Sequence, residues 1–169
     1  MQTNMKGVFA CGDCTGGLLQ ISKAAYEGAK AGISVTNYLI IKEELKDKFI
    51  ELWKETVNIF LSNDDYGRII NEKHFKRLIK MFEGEEIYAG GNYNADDLWI
   101  EPTLVNGNKS NFMNEEIFGP ILPIITYKDR NEIEILVEKH PFPLALYIFS
   151  NDKQFINYLT KRLLFGGAC

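Results

Sequence analysis

Closely spaced cysteine and carboxylate side chains are the first residues of this sequence that could carry chemistry. Residues 11–14 read Cys-Gly-Asp-Cys, a C-x-x-C spacing that is typical of a dithiol redox centre or of half of a zinc site. A zinc site needs further ligands, and the two histidines, His74 and His140, are far from this pair and from each other in the sequence. We therefore disfavour a metal site and keep a dithiol centre as an alternative.

The overall composition restricts the function classes that need to be considered. The 169 residues carry 23 acidic and 19 basic side chains, and no long basic run, which argues against binding to nucleic acid or to an anionic membrane surface. No continuous apolar stretch is long enough to span a bilayer, and the N-terminus lacks the pattern of a secretory signal. The three cysteines are an odd number, so we expect reduced thiols and a cytoplasmic protein.

The N-terminal part of the chain is rich in glycine and alanine. Residues 7–10 favour a buried strand, residues 12–17 favour a tight loop, and apolar positions at helical spacing then predict a helix that ends at Leu39. A charged stretch follows, beyond which large aliphatic and aromatic residues replace the small ones. We therefore divide the chain into residues 1–41, a junction at 42–47, and residues 48–169.

The second part alternates helical and strand patterns. Apolar spacing predicts helices near residues 45–60, 75–82, 133–137 and 155–159, and short apolar runs predict strands at residues 87–89, 102–105, 121–127 and 144–149. Alternation of this kind is the signature of an α/β fold.

Residues 2–40 resemble the last flavin-binding motif of the thioredoxin reductase family. The matching pieces are Gly7-Val8-Phe9-Ala10-Cys11-Gly12-Asp13, Gln20-Ile21, Ala24-Ala25, Glu27-Gly28 and Ala31-Gly32. The resemblance implies that Gly12 and Asp13 approach the ribityl chain of FAD and that Gln20 and Ile21 lie near the flavin ring. The redox cysteines of that family belong to an earlier domain, so Cys11 and Cys14 do not correspond to them. Because the rest of the FAD-binding fold has no counterpart here, we expect that FAD is not bound tightly.

The region from Asp47 to Cys169 resembles the aldehyde dehydrogenase superfamily, and most closely its class 3, fatty-aldehyde-type branch. The matching pieces are Tyr66-Gly67-Arg68-Ile69-Ile70-Asn71, His74-Phe75-Lys76-Arg77-Leu78, Pro102-Thr103-Leu104, residues 115–124 and Pro143-Leu144-Ala145-Leu146-Tyr147. The resemblance implies oxidation of an aldehyde to a carboxylate with NAD or NADP. The expected fold is α/β, composed of incomplete pieces of an aldehyde dehydrogenase catalytic domain and of an FAD-binding Rossmann-like domain.

Two residues of this region match cofactor contacts of the family. Glu116 corresponds to a carboxylate that can accept hydrogen bonds from the ribose hydroxyls of NAD or NADP, and Phe118 corresponds to an aromatic ring beside the nicotinamide riboside. The alternative is that Glu115 and Glu116 are a solvated acidic pair and that Phe118 is a core residue. We interpret His74 and Tyr147 as packed structural residues.

The family's nucleophilic cysteine, general base, oxyanion donor and dinucleotide-binding domain all precede the region that matches Asp47. Cys169 stands shortly after two glycines, in Gly166-Gly167-Ala168-Cys169, but by resemblance its order in the chain corresponds to a noncatalytic, glycine-rich entrance to a strand. We therefore expect an inactive aldehyde dehydrogenase fragment. Two alternatives stay open: a flavin-dependent reductase fragment, which would be yellow, and a noncatalytic module that associates through exposed sheet edges, which light scattering would detect.

Overall fold

The computed structural model describes residues 38–62, 66–108, 116–138 and 145–168. The strand, loop and helix predicted before Leu39 lie outside these ranges. The helices are α1 Lys46–Leu61, α2 Glu72–Phe82, α3 Arg130–Glu138 and α4 Lys153–Arg162. The strands are β1 Leu39–Lys42, β2 Ile87–Ala89, β3 Tyr93–Asn94, β4 Trp99–Ile100, β5 Thr103–Asn106, β6 Ile121–Tyr127, β7 Ala145–Leu146 and β8 Gly167–Ala168. The predicted α/β class is confirmed.

A four-stranded mixed sheet in the order β1-β6-β5-β2 organises the fold. Strand β6 pairs in parallel with β1 and with β5, whereas β2 pairs with β5 in the antiparallel direction. Because successive side chains of a strand point to opposite faces, Leu104 and Val105 of β5 serve two separate cores. Leu104 packs in the core that contains Phe49, Trp53 and Val57 of α1. Val105 packs in the core that contains Phe75, Leu78 and Phe82 of α2.

Proline stands inside β6, although the strand is paired on both sides. The carbonyl of Ile124 accepts a hydrogen bond from the amide of Gly107 at 2.8 Å, so the polar backbone groups of Ile124 face β5. Those of Pro123 face the opposite side, toward β1, and pairing with β1 begins only at Leu39 with Ile124. Pro123 therefore removes no hydrogen bond from the part of the ladder that the structure describes, which is the condition under which a strand tolerates proline.

A third core lies between α3 and α4. Ile133 and Val137 of α3 pack against Leu159 and Leu163, and this cluster reaches the sheet through Ile40 and Tyr127, which are partly buried against it. The Asp152 carboxylate caps α4 by accepting the amides of Gln154 and Phe155, and it also pairs with Arg130 at 2.9 Å. One carboxylate thus starts α4 and ties it to α3.

Three local predictions are corrected by the structure. Leu39 begins β1 rather than ending a helix, because the run Leu39-Ile40-Ile41 pairs in parallel with β6. The strand expected at 144–149 is described only at Ala145–Leu146, where β8 supplies a partner of two residues. The segment between residues 89 and 102, where the sequence predicted neither helix nor strand, contains the hairpin of β3 and β4. Asn94 stabilises its turn by accepting the amides of Asp96 and Asp97. No helix within the described ranges is long and apolar enough to cross a membrane.

Because the sheet is covered on both faces, truncating a buried isoleucine should lower the free energy of unfolding much more than truncating an exposed one. Ile124 is 0% exposed in β6, whereas Ile135 is 57% exposed on α3. We expect Ile124→Ala to lower the free energy of unfolding by about 2–5 kcal/mol through lost burial and a residual cavity. Ile135→Ala should change it by less than about 0.5 kcal/mol, as surface substitutions usually do. Urea unfolding followed by circular dichroism measures both, and equal losses would contradict the assignment of β6 to the core.

Candidate functional site

The segment immediately before β6 presents an aromatic side chain to solvent. Ile117 is 1% exposed, whereas its neighbour Phe118 is 72% exposed. Phe118 also has a φ of +45°, a backbone conformation that few residues other than glycine adopt. An exposed phenylalanine in such a conformation is held by its surroundings rather than by its own burial.

Arg77 of α2 holds the backbone on the N-terminal side of Phe118. Its guanidinium donates a hydrogen bond to the carbonyl of Glu116 at 3.1 Å and another to the carbonyl of Ile117. The planar guanidinium has several donors in fixed directions, so one side chain can position two successive peptide units. The buried side chain of Ile117 supplies a further anchor in the core beneath α2.

Gly119 and Pro120 hold the backbone on the C-terminal side. A Cβ atom at Gly119 would lie 2.5 Å from a Cδ atom of Leu78, and Leu78 is fully buried, so only glycine fits against α2 at this point. The carbonyl of Pro120 accepts the amide of Thr103 at 2.8 Å. Phe118 therefore lies between two sets of anchors, one on α2 and one at the start of β5.

The position of α2 depends on the residues that precede it. Asn71 caps the helix, since its side-chain oxygen accepts the amide of His74 at 2.9 Å. The amide of Ile69 bonds to the carbonyl of Leu98 at 2.9 Å, and Arg68 pairs with Asp97 at 2.6 Å. These contacts fasten the start of α2 to the hairpin of β3 and β4.

Tyr66 adds a partly buried polar anchor to the same junction. Its hydroxyl donates to the carbonyl of Ile100 at 2.7 Å, and its ring meets the edges of Phe60 and Trp99. Burial raises the pKa of Tyr66 far above its usual range, because the phenolate would lose its hydration. The residues from Tyr66 to Asn71 therefore position α2, and through it Arg77 and Leu78.

The polar group nearest to Phe118 in sequence is the carboxylate of Glu116. Glu116 is exposed, and the hydrogen bond that Arg77 donates to this residue goes to its main-chain carbonyl. The Glu116 carboxylate, which accepts hydrogen bonds, and the aromatic ring of Phe118 therefore both lie at the surface, two residues apart in the sequence. Such a pair can contact a ligand that has hydroxyl groups next to a flat or apolar surface.

The other predicted site residues cannot be placed in this geometry. Gly12, Asp13, Gln20 and Ile21 lie outside the described residues, as do all three cysteines. In the part of the chain that is described, no group of three or more histidine, cysteine, aspartate or glutamate side chains could hold a metal ion.

Comparison with known proteins identifies the family. The sequence model of the aldehyde dehydrogenase family matches residues 7–168. The chain belongs to the aldehyde dehydrogenase family. A relative, 4,4'-diaponeurosporen-aldehyde dehydrogenase of Staphylococcus aureus, is 38% identical over 141 residues, which cover 78% of this chain and 31% of the relative. Aldehyde dehydrogenase family 3 member A2 of Macaca fascicularis is 35% identical, over 78% of this chain and 29% of that protein, which confirms the similarity to class 3.

Solved aldehyde dehydrogenase structures support the same assignment. Staphylococcus aureus AldH in a substrate-bound state has a TM-score of 0.79 and 35% identity, and the match covers 88% of this chain and 36% of that one. An aldehyde dehydrogenase of Pseudomonas syringae in complex with NAD+ and octanal has a TM-score of 0.75 at 20% identity, which supports the fold alone. The chain thus spans about a third of the length of these relatives. The family match begins at residue 7, so it includes the segment with the flavin-type motif, which stays a prediction.

The sequence predicts Glu116 and Phe118 as site residues but does not indicate the residues that position them. Arg77 and Leu78 were noted only as part of a family motif, and a contact between Arg77 and a carbonyl 39 residues away leaves no periodic signal. The alternative that Phe118 is a core residue is wrong, because its ring is largely exposed. His74 is exposed rather than packed, since it lies on the solvent side of the first turn of α2.

The close contact between Gly119 and Leu78 predicts that a methyl group added at position 119 destabilises the fold, whereas one added at an open glycine does not. We expect Gly119→Ala to lower the free energy of unfolding by about 1–3 kcal/mol, because the buried Leu78 has little room to move. The matched control is Gly67→Ala, where a Cβ atom would meet nothing within 4 Å. We expect this control to change the free energy of unfolding by no more than about 1 kcal/mol, in the stabilising direction, because alanine restricts the unfolded chain. Thermal and urea unfolding of both variants measure the difference, and a neutral Gly119→Ala would contradict the close packing.

Proposed function

We propose that Glu116 and Phe118 form part of the NAD(P) contact of an aldehyde dehydrogenase, at the nicotinamide riboside. The observation that carries this proposal is Phe118, whose ring is exposed in a left-handed backbone conformation while the residues on both sides are anchored. The described residues give no folding reason to hold a phenylalanine in this way, because against them the exposed ring gains little from burial and the backbone costs about 1 kcal/mol or more. A ligand that covers the ring supplies the reason.

Glu116 complements the ring in this proposal. Its exposed carboxylate can accept hydrogen bonds from two neighbouring ribose hydroxyls, while the face of Phe118 packs beside the same nucleoside. When it is bound, NAD or NADP supplies the hydride acceptor of aldehyde oxidation. The part of Arg77 is to keep the peptide units of Glu116 and Ile117 in place, so that neither contact has to be ordered when the cofactor binds.

We further propose that this 169-residue chain alone does not oxidise aldehydes. The reaction needs a thiolate to form the hemithioacetal, donors for the oxyanion, a base for the hydrolytic water and a positioned nicotinamide. By resemblance, the first three belong to the part of the family that precedes the region matching Asp47. The relatives' own activity, with an aldehyde as substrate, is therefore a proposal for a whole protein of which this chain matches about a third.

The proposal predicts weak cofactor contact without turnover. Saturation-transfer NMR with NAD+ or NADP+ should give signals on the nicotinamide ribose protons, with a dissociation constant above about 1 mM, a level that corresponds to about 4 kcal/mol of binding free energy. Phe118→Ala and Glu116→Gln should each weaken binding by about fivefold, or about 1 kcal/mol. Formation of reduced cofactor with a medium-chain aldehyde should not exceed a blank without protein.

Matched variants make this test specific. Phe149→Ala removes another exposed phenylalanine and should leave the NMR signals unchanged. Equal losses in Phe118→Ala and Phe149→Ala would show that the signals do not come from this site. Turnover that disappears in Cys169→Ala would overturn the proposal of an inactive chain, and it would assign the nucleophile to Cys169.

The flavin-type motif generates a separate prediction. Gly12, Asp13, Gln20 and Ile21 match only the last of the contacts that a flavoprotein makes, so the ordering cost of FAD would go largely uncompensated. We expect purified protein to show no stoichiometric flavin absorbance, with or without prior incubation with FAD and gel filtration. A yellow complex that persists in the wild type and disappears in Asp13→Ala would instead favour a flavin-dependent reductase fragment.

Self-association through sheet edges also stays a prediction. In the four-stranded sheet, β1 and β2 are the outer strands, and an outer strand presents backbone groups on which another strand can pair. No contact of the described residues favours this role over the cofactor contact.

A further inference from the structure

The end of β5 contains a dipeptide that is chemically labile in unfolded chains. Residues 106 and 107 read Asn-Gly, and asparagine is among the thermolabile residues of proteins. Glycine makes this asparagine the most reactive kind, because a residue without a Cβ lets its backbone nitrogen approach the preceding side chain. The amide nitrogen of Gly107 can attack the side-chain Cγ of Asn106, which forms a five-membered succinimide and expels ammonia.

In the folded protein, hydrogen bonds hold every group that this reaction needs. The Gly107 amide, which would be the nucleophile, donates to the carbonyl of Ile124 at 2.8 Å. The Asn106 side chain, which would be the electrophile, donates from Nδ2 to the Glu86 carboxylate at 2.7 Å and accepts the amide of Asn108 at Oδ1 at 3.0 Å. The Asn106 amide itself donates to the carbonyl of Glu86 at 2.8 Å.

Burial adds a steric barrier. Gly107 is buried, and a Cβ atom there would lie 2.9 Å from Ile125, 3.1 Å from the carbonyl oxygen of Ile124 and 3.1 Å from Pro123. The packing against β6 therefore requires glycine at position 107, which explains why so labile a dipeptide stands in the sheet.

We propose that Asn106-Gly107 is a deamidation site that reacts only when the end of β5 separates from β6. Hydroxide removes the Gly107 amide proton, the N–Cγ bond forms and ammonia leaves. Water then opens the succinimide at either carbonyl to give aspartate or isoaspartate, so that the net reaction is hydrolysis of one amide. Isoaspartate routes the backbone through the former side chain and adds an atom to it, where Asn106 pairs with Ile124. Each opening that ends in isoaspartate thus produces a chain that cannot restore this register, whereas aspartate leaves the backbone path unchanged.

The rate of deamidation in folded and unfolded protein tests the proposal. The full chain is incubated at pH 8 and 37 °C with and without denaturing urea, then digested, and the mass increase of about one dalton at Asn106 is followed by mass spectrometry. We expect reaction in native buffer to be slower by about tenfold or more, because it requires local opening. In urea, Asn106 should react faster than Asn94 and Asn108, which precede alanine and lysine.

Two variants separate local protection from global stability. Glu86→Ala removes the acceptor of Asn106 Nδ2 and should accelerate deamidation of the native chain, whereas Glu83→Ala removes a nearby exposed carboxylate and should not. Labelling with an isoaspartyl methyltransferase, after refolding, should be concentrated in the fraction that fails to regain native circular dichroism. Equal rates at Asn106 with and without urea would overturn the proposal, as would native-like refolding of the isoaspartyl form.

Discussion

Enclosure of β6 on both edges and both faces is the constraint on which the rest of the structure depends. A parallel strand inside a sheet needs hydrogen-bond partners along both edges and apolar cover on both faces. For β6, the strands β1 and β5 supply the partners, and the helices α1 and α2 supply the cover. The positions of these four elements are therefore set by their contacts with β6. The position of the segment that carries Phe118 is fixed by the same strand, because Pro120 is followed directly by Ile121, the first buried residue of β6.

Rigidity and exposure are combined in the 116–120 segment. A loop that merely connected two elements would gain from burying its phenylalanine and from a relaxed backbone conformation. Here Arg77 and Leu78 on one helix, with Thr103 at the start of β5, hold the peptide units on both sides. The conformation of Phe118 is therefore over-determined by its neighbours, which is the condition under which a locally unfavourable backbone conformation persists.

The sequence predicts correctly those helices and strands whose buried residues form one continuous apolar run or one regular helical spacing. The bounds of β2 and β6 agree with their apolar runs, and α1 and α2 agree with their helical spacing. Leu39 could not be assigned correctly, because it also continues the helical spacing of the preceding residues and only its partner Ile124, far along the chain, makes it a strand. The hairpin of β3 and β4 could not be predicted, because its two-residue strands are too short to show an apolar pattern on either side of the polar turn. Glu116 and Phe118 are predicted by resemblance alone, whereas the residues that hold them depend on contacts between distant parts of the chain that no local pattern encodes.

The parallel pairing of β1 with β6 has a consequence for the synthesis of this protein on the ribosome. Ile40 pairs with Ile125, which is made about 85 residues later, and translation at about 5–20 residues per second leaves β1 without its partner for on the order of ten seconds. During that interval the apolar run of β1 has only the residues made before it, and then α1, to cover it. The nascent chain therefore presents an aggregation-prone segment to chaperones until the central strand emerges, and slower translation of the intervening helices lengthens that exposure.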